Sequence, residues 1–287
     1  MTHPQVSFEF FPPKNDEQIE SFTRTRDKLA ELKPAYMSVT FGAGGSTRAR
    51  TKATVLNIQR ETGISAAPHI SCMSEDTDGI RELLDAYLEA GVDRLVVLRG
   101  DRPSGGGSGV FDYAVDLVRF IREHYGRRFH IEVACYPEFH PEAKKPESDL
   151  LHFKEKVDAG ADGAITQYFF NFECYASFME DCARLGMDIP VTPGIMPITN
   201  YSRLARFSSM CGADIPKWIG KRLHAWEEAG DERSIRAFGE DVVTGLCQQL
   251  LEAGVPGIHF YTLNRSAATL TLCRNLGLDK VGGSQAA

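Results

Sequence analysis

The chain has 287 residues, 43% hydrophobic and 25% charged, with 17 Phe and 9 Tyr. That composition excludes disorder as the main state and leaves room for two ordinary domains or for one α/β barrel of about 250 residues. Lys and Arg total 32 against 39 Asp and Glu, a net charge of −7, so no basic field exists to bind nucleic acid or an anionic membrane. No apolar run approaches the roughly 18 residues of a membrane span. The start MTHPQVSFEF lacks the basic and apolar regions of a secretory signal. Seven scattered cysteines form no C-x-x-C pair and no zinc spacing. The expectation is a cytoplasmic protein with reduced thiols and no metal.

Along the chain, short β-branched or aromatic runs alternate with segments whose apolar residues recur at three and four. Strands are expected at 6–10, 36–41, 65–71, 93–98, 130–136, 163–169, 190–195 and 257–263. Helical patterns lie near 15–32, 48–62, 76–90, 112–125, 147–160, 173–186 and 200–210. A longer helical insertion covers about 216–253, and a last helix lies near 266–276. Ser148 is a cap candidate for the fifth helix, and glycines at 91, 160, 186 and 254 stand where helices end in a left-handed residue. The pattern EAGVD (89–93), DAGAD (158–162) and EAGVP (252–256) leads into a strand each time. Eight βα units without a linker predict a single (βα)8 TIM barrel over 1–287, with a short flexible tail at 279–287.

In such a barrel, function belongs at the carboxyl ends of the strands. Those ends carry Glu9, Thr40, His69, the RGD run at 99–101, the YPEFH run at 136–140, Gln167, the 193–200 loop and the YTLNR run at 261–265. Glu9 sits among aromatics in FEFFPP, and desolvation there is expected to raise its pKa toward that of a protonated general acid. Read alone, it is also a solvated Glu on a strand's polar face, but the first strand of a parallel barrel has no solvent face. Asp101 precedes PSGGGSG (103–109) and reads either as a ligand-side carboxylate or as a turn residue. His69 and His140 read as ligands, bases or packed side chains. Neither a P-loop nor a G-x-G-x-x-G turn is present.

Together, SFEFFPP (7–13), AAPH (66–69), LRGD (98–101), YPEFHPEA (136–143), KVDAGA (156–161), AITQ (164–167), PGI (193–195) and HFYTLNR (259–265) resemble the bacterial methylenetetrahydrofolate reductase family, from about Val6 to Leu278. The resemblance implies an FAD-containing barrel. It would reduce 5,10-methylenetetrahydrofolate to 5-methyltetrahydrofolate with NADH or NADPH by a ping-pong route, within one-carbon metabolism and methionine biosynthesis. Glu9 matches the general acid expected to protonate folate N10, which opens the ring to an iminium that takes hydride from flavin N5. Asp101 matches an aspartate beside flavin and pterin. The flavin positions carry over to Thr40, Phe41, Ala43, His69, Arg99, Gly100, Asp101, Tyr113, Tyr136, His140, Ala143, Asp149, His152 and Lys156. The substrate positions carry over to Asp101, Gln167, Phe207 and Arg265. Phe41, His152 and Glu155 depart from the family pattern near the flavin. The resemblance also implies a homo-oligomer with folate and nicotinamide dinucleotide as its partners. The chain ends before any S-adenosylmethionine-responsive domain, so no such regulation is expected. Another flavin barrel of the proline dehydrogenase kind, or a binding protein without turnover, are the alternatives that substrate-driven changes in flavin colour would separate.

Overall fold

In the computed structural model, residues 4–41, 45–72, 76–100 and 110–280 are described, without the side chains of 45–47 and 280. In chain order the elements are β1 (Gln5–Phe10), α1 (Asp16–Ala30), β2 (Tyr36–Val39), α2 (Gly45–Thr62), β3 (Ala66–Ser71), α3 (Thr77–Glu89), β4 (Arg94–Leu98), α4 (Ala114–Tyr125), β5 (His130–Cys135) and α5 (Pro146–Asp158). There follow β6 (Gly163–Thr166), α6 (Phe172–Arg184), β7 (Val191–Thr192), β8 (Gly194–Ile195), α7 (Tyr201–Cys211), α8 (Lys217–Glu228), α9 (Glu232–Glu252), β9 (Gly257–Tyr261) and α10 (Ser266–Asn275). A 3-10 turn at Leu278–Lys280 buries Leu278. Residues 281–287 lie outside the described residues.

All strand pairs are parallel, in the order β7-β6-β5-β4-β3-β2-β1-β9-β8. The single strand expected at 190–195 is two short ones, because Pro193 lacks the N–H a ladder needs. β7 pairs with β6, β8 pairs with β9, and the Pro193 carbonyl accepts from His259 N at 3.0 Å. The two halves therefore fill one barrel position, and the nine strands make an eight-position, nearly closed TIM barrel.

The expected glycines end their helices as read: Gly91, Gly160, Gly186 and Gly254 all have φ between +71 and +109. Ser148 is not the cap of α5. Pro146 begins that helix, Lys145 is its cap, and the Ser148 hydroxyl donates back to the Lys145 carbonyl at 2.7 Å. Proline is favoured at this first position because its missing N–H would have no helical partner there.

The expected insertion is also redrawn. Gly230, with φ +68, breaks the 216–253 segment, and Asp231 caps α9 by accepting from Ser234 N. α9 packs against both α6 and α10 and so takes the ring position behind the seventh strand. A Cβ on Gly239 would stand 2.5 Å from the Ile198 carbonyl, which measures how closely this helix rides on the chain leaving β8. The excursion is instead α7 with α8.

β2, β3 and β6 are buried on both faces, the reason their sequences do not alternate. Outward residues such as Phe8, Phe10, Met37, Val97, Val133 and Phe260 join the large core beneath the helices. The inward faces carry a small apolar cluster of Tyr36, Ala67, Val96 and Ile165 among polar neighbours. No described helix is long and apolar enough to cross a membrane.

Candidate active site

Strand pairing puts Glu9 in register with Ser38 and Tyr261, and Ser7 with Tyr36 and His259. Residues paired across a sheet share a face, so these side chains converge inside the barrel. Above them opens a cavity of about 220 Å³. Its walls include Glu9, His69, Tyr136, Gln167, Phe207 and Tyr261, and its floor is mostly apolar, with Val96 and Ile165.

Glu9 is only 14% exposed, and its Oε2 lies 3.1 Å from His69 Nε2 and 3.5 Å from His259 Nε2. Neither approach has hydrogen-bond geometry, and both buried Nε2 atoms lack a hydrogen-bond partner. His259 is held from its other side by Ser7, whose Oγ is 2.7 Å from Nδ1. The expected rise in the Glu9 pKa is reversed. Burial does push it up, but the two imidazoles, His69 foremost, stabilise the carboxylate more and bring it down to about 2. The sequence reading counted the aromatic neighbours of Glu9 in its own strand and not the histidines on two other strands.

Gln167 and Phe207 reach the same cavity from the end of β6 and from α7. Tyr168 anchors α7 by a 3.0 Å hydrogen bond to Ser208, next to Phe207. Arg265 is not brought in: it is exposed at the start of α10 and does not line the cavity. The opposite wall is clamped by Asn264, whose amide donates to the Phe11 carbonyl and accepts from Phe11 N, each at 2.9 Å. Leu263 and Asn264 hold left-handed φ of 51 and 57 there, conformations that cost non-glycine residues energy. Gly194 is required by crowding. A Cβ on it would stand 2.2 Å from the Thr166 carbonyl and 2.6 Å from the Tyr261 ring.

Most of the described residues expected at the flavin lie in the segments leaving β4 and β5, a strip that adjoins the cavity at Tyr136. Tyr136 joins the two zones: it lines the cavity, its ring lies edge-on to His140 with centroids 4.7 Å apart, and burial raises its phenol pKa. His140 N donates to Asp149 at 2.9 Å, and Ala143 N donates to the His140 carbonyl at 2.8 Å. Burial lowers the His140 pKa, which suits its Nδ1 accepting from Glu142 N at 3.1 Å. Lys156 reaches inward to donate to the Ala134 carbonyl, and burial lowers its pKa. Arg99 pairs with Glu142 at 2.8 Å, and Gly100 follows with φ +80. Further out, the exposed rings of Tyr113 and His152 stack at 6.4 Å and 14°. Thr40 donates its N–H to the Phe10 carbonyl at the exit of β2, with Phe41 next to it. Asp101 and Ala43 lie outside the described residues.

Sequence reading placed Tyr261 at a strand end but gave no role to it, to His259 or to Ser7. The signal was present: His259 and Tyr261 alternate with the core residues Ile258 and Phe260, as Ser7 and Glu9 alternate with Phe8 and Phe10.

The sequence as a whole matches the model of the methylenetetrahydrofolate reductase family over residues 1–277. The chain belongs to the methylenetetrahydrofolate reductase family. It is 39% identical over 273 residues to the 5,10-methylenetetrahydrofolate reductases of Pectobacterium carotovorum and Escherichia coli, covering 95% of this chain and 90% of each relative. A plant relative, methylenetetrahydrofolate reductase (NADH) 1 of Arabidopsis thaliana, is 34% identical, and this chain spans 48% of it. Among solved structures, a Clostridium thermocellum protein described as binding two copies of 5-methyl-5,6,7,8-tetrahydrofolic acid shares the fold, with a TM-score of 0.69 at 15% identity over 97% of this chain and 96% of that one. Membership in the reductase family makes the chain an oxidoreductase that reduces methylenetetrahydrofolate.

Proposed function

We propose that the barrel mouth holds FAD, that NADH or NADPH supplies the electrons, and that donor and folate use the same cavity in turn, with Glu9 delivering the proton. The observation that carries this reading is Glu9 set between two imidazoles at a mostly apolar cavity. The donor set suits a flat ring joined to an anionic chain. His69 Nε2 is a buried polar atom without a hydrogen-bond partner at the cavity, Arg99, Lys156 and the backbone of the 140–143 loop line the strip, and the Tyr113–His152 pair offers an exposed aromatic face at its far end. When bound, the flavin supplies the hydride carrier between nicotinamide and folate.

Converting a methylene to a methyl group with hydride consumes one further proton, which this chain's own groups must deliver. Glu9 is the group placed to deliver it; His69 and His259 face its carboxylate at 3.1 and 3.5 Å, with Ser7 fixing the His259 ring. Folate covering the cavity displaces water, and that favours the neutral carboxylic acid poised to donate. Gln167 and Phe207 orient whichever ring system is present, Phe207 by stacking. Asp101 supplies negative charge near the developing cation, and Arg265 meets the anionic portion of folate at the rim.

The deciding measurement is the visible spectrum of the purified full chain. A flavin spectrum bleached by anaerobic NADH and restored by methylenetetrahydrofolate is expected. A colourless protein, or a bleached one that folate does not restore, defeats the reading.

A further inference from the structure

One cation of the proposed flavin strip is already paired with a carboxylate. Arg99, a quarter exposed, places Nη2 2.8 Å from Oε2 of Glu142, whose side chain is 63% exposed. The carboxylate is delivered there by a loop that is fixed without it. His140 N donates to Asp149, Glu142 N donates to His140 Nδ1, and Ala143 N donates to the His140 carbonyl. Pro141 packs beneath Gly212, where an added Cβ would lie 3.1 Å from the proline ring. At the loop's start the Glu138 carboxylate accepts from Asp214 N at 2.8 Å. Each of these ties is made by atoms other than the Glu142 carboxyl, so the loop's position does not depend on the pair with Arg99.

We propose that Glu142 is an internal anion that competes with the ligand's phosphate groups for Arg99, and so sets how tightly the site takes a phosphorylated flavin. The inference rests on the flavin reading above. A bidentate guanidinium suits a carboxylate and a phosphate equally, so one anion displaces the other in the same geometry. An exposed Arg–Glu pair is weak enough for such exchange, and the exchange keeps the guanidinium paired, and therefore ordered, in both states. Riboflavin carries the same ring system without phosphate and has no use for Arg99, so it reports the rest of the site alone.

The test is titration of FAD and of riboflavin into flavin-free full-length protein, followed by flavin fluorescence, for wild type, Glu142→Gln and Arg99→Gln. Glu142→Gln is expected to tighten FAD by about two- to fivefold, the range an exposed ion pair supports, and to leave riboflavin unchanged. Arg99→Gln is expected to weaken FAD and to abolish the effect of Glu142→Gln in the double variant. Unchanged or weaker FAD binding by Glu142→Gln, with riboflavin unaffected, overturns the competition. Glu142→Ala separates charge from shape: it must tighten FAD as the glutamine does. Failure of the wild type to bind either flavin strikes the flavin reading itself, a result distinct from a wild type that binds FAD and a Glu142 variant that does not differ from it.

Discussion

Two carboxylates point into the same barrel and meet different fates. Glu9, near the mouth, is faced by the imidazoles of His69 and His259 at 3.1 and 3.5 Å. Glu132 lies four residues before Tyr136 on β5, toward the opposite end, where Arg94 Nη1 and His130 Nε2 approach its Oε1 at 2.7 and 2.9 Å. Arg94 on β4 grips the carboxylate of Glu132 on β5, so this pair is a fixed link between strands. Gly163 makes room for it, since a Cβ there would stand 2.5 Å from Glu132 Oε2. Tyr36 separates the two groups, with Arg94 4.6 Å over its ring and His259 stacked 5.7 Å away. Burial raises the Tyr36 phenol, and both carboxylates add to the rise, so it stands as a neutral partition. Burial is common to Glu9 and Glu132. The partner's chemistry decides which of them is available to a reaction.

Glu9→Gln attacks the mouth side of this contrast. Folate reduction should fall by at least about 100-fold while anaerobic reduction of the flavin by NADH keeps its rate, as rapid mixing of each half-reaction would show. Equal losses in both half-reactions would remove Glu9 from the acid's role.

Glu132→Ala attacks the other side. It leaves Arg94 partly buried without its carboxylate and should cost about 2–3 kcal/mol in urea unfolding, below the full cost for a deeply buried pair because Arg94 is a quarter exposed. The pH profile of the folate half-reaction should stay where it is; a displaced profile would mean that the two carboxylates are coupled through Tyr36.

Acid stability separates them again. The folded Glu9 titrates at about 2, below its ordinary value of 4.5, so between these values the unfolded chain binds more protons than the folded one. This contribution is complete above about pH 4.5 and is lost as pH falls toward 2. The stability difference between wild type and Glu9→Gln should shrink across that window, and a difference that grows on acidification would reverse the assigned direction.

Ser7→Ala should have the smallest effect. Loss of the 2.7 Å contact to His259 Nδ1 is worth about 1 kcal/mol. Its signature is a shifted pH profile in the folate half-reaction with the nicotinamide half-reaction unmoved; equal changes in both would make the contact merely structural.

Much of the architecture was legible because it is local. Glycines at helix ends, runs buried on both faces and the repeated helix-to-strand junctions are properties of a few consecutive residues. The division at Pro193 was legible too, since proline's missing N–H is a sequence fact, yet only the ladder revealed that its two halves serve different neighbours. The role of α9 was not legible. Its helical pattern resembles that of α8, and which of them closes the ring depends on packing against α6 and α10, far apart in sequence. Within the site, Gln167, Phe207 and His69 line the cavity, whereas Arg265 is exposed and does not.

The sequence by itself determined the eight βα repeats, the family and the position of Glu9 at a strand's carboxyl end, because periodicity and motif are carried along the chain. Only the tertiary structure decided the state of Glu9. Its pKa is set by His69 on β3 and His259 on β9, brought within 3.5 Å by barrel closure, and electrostatic interactions depend on distance through space, which no reading of neighbouring residues supplies.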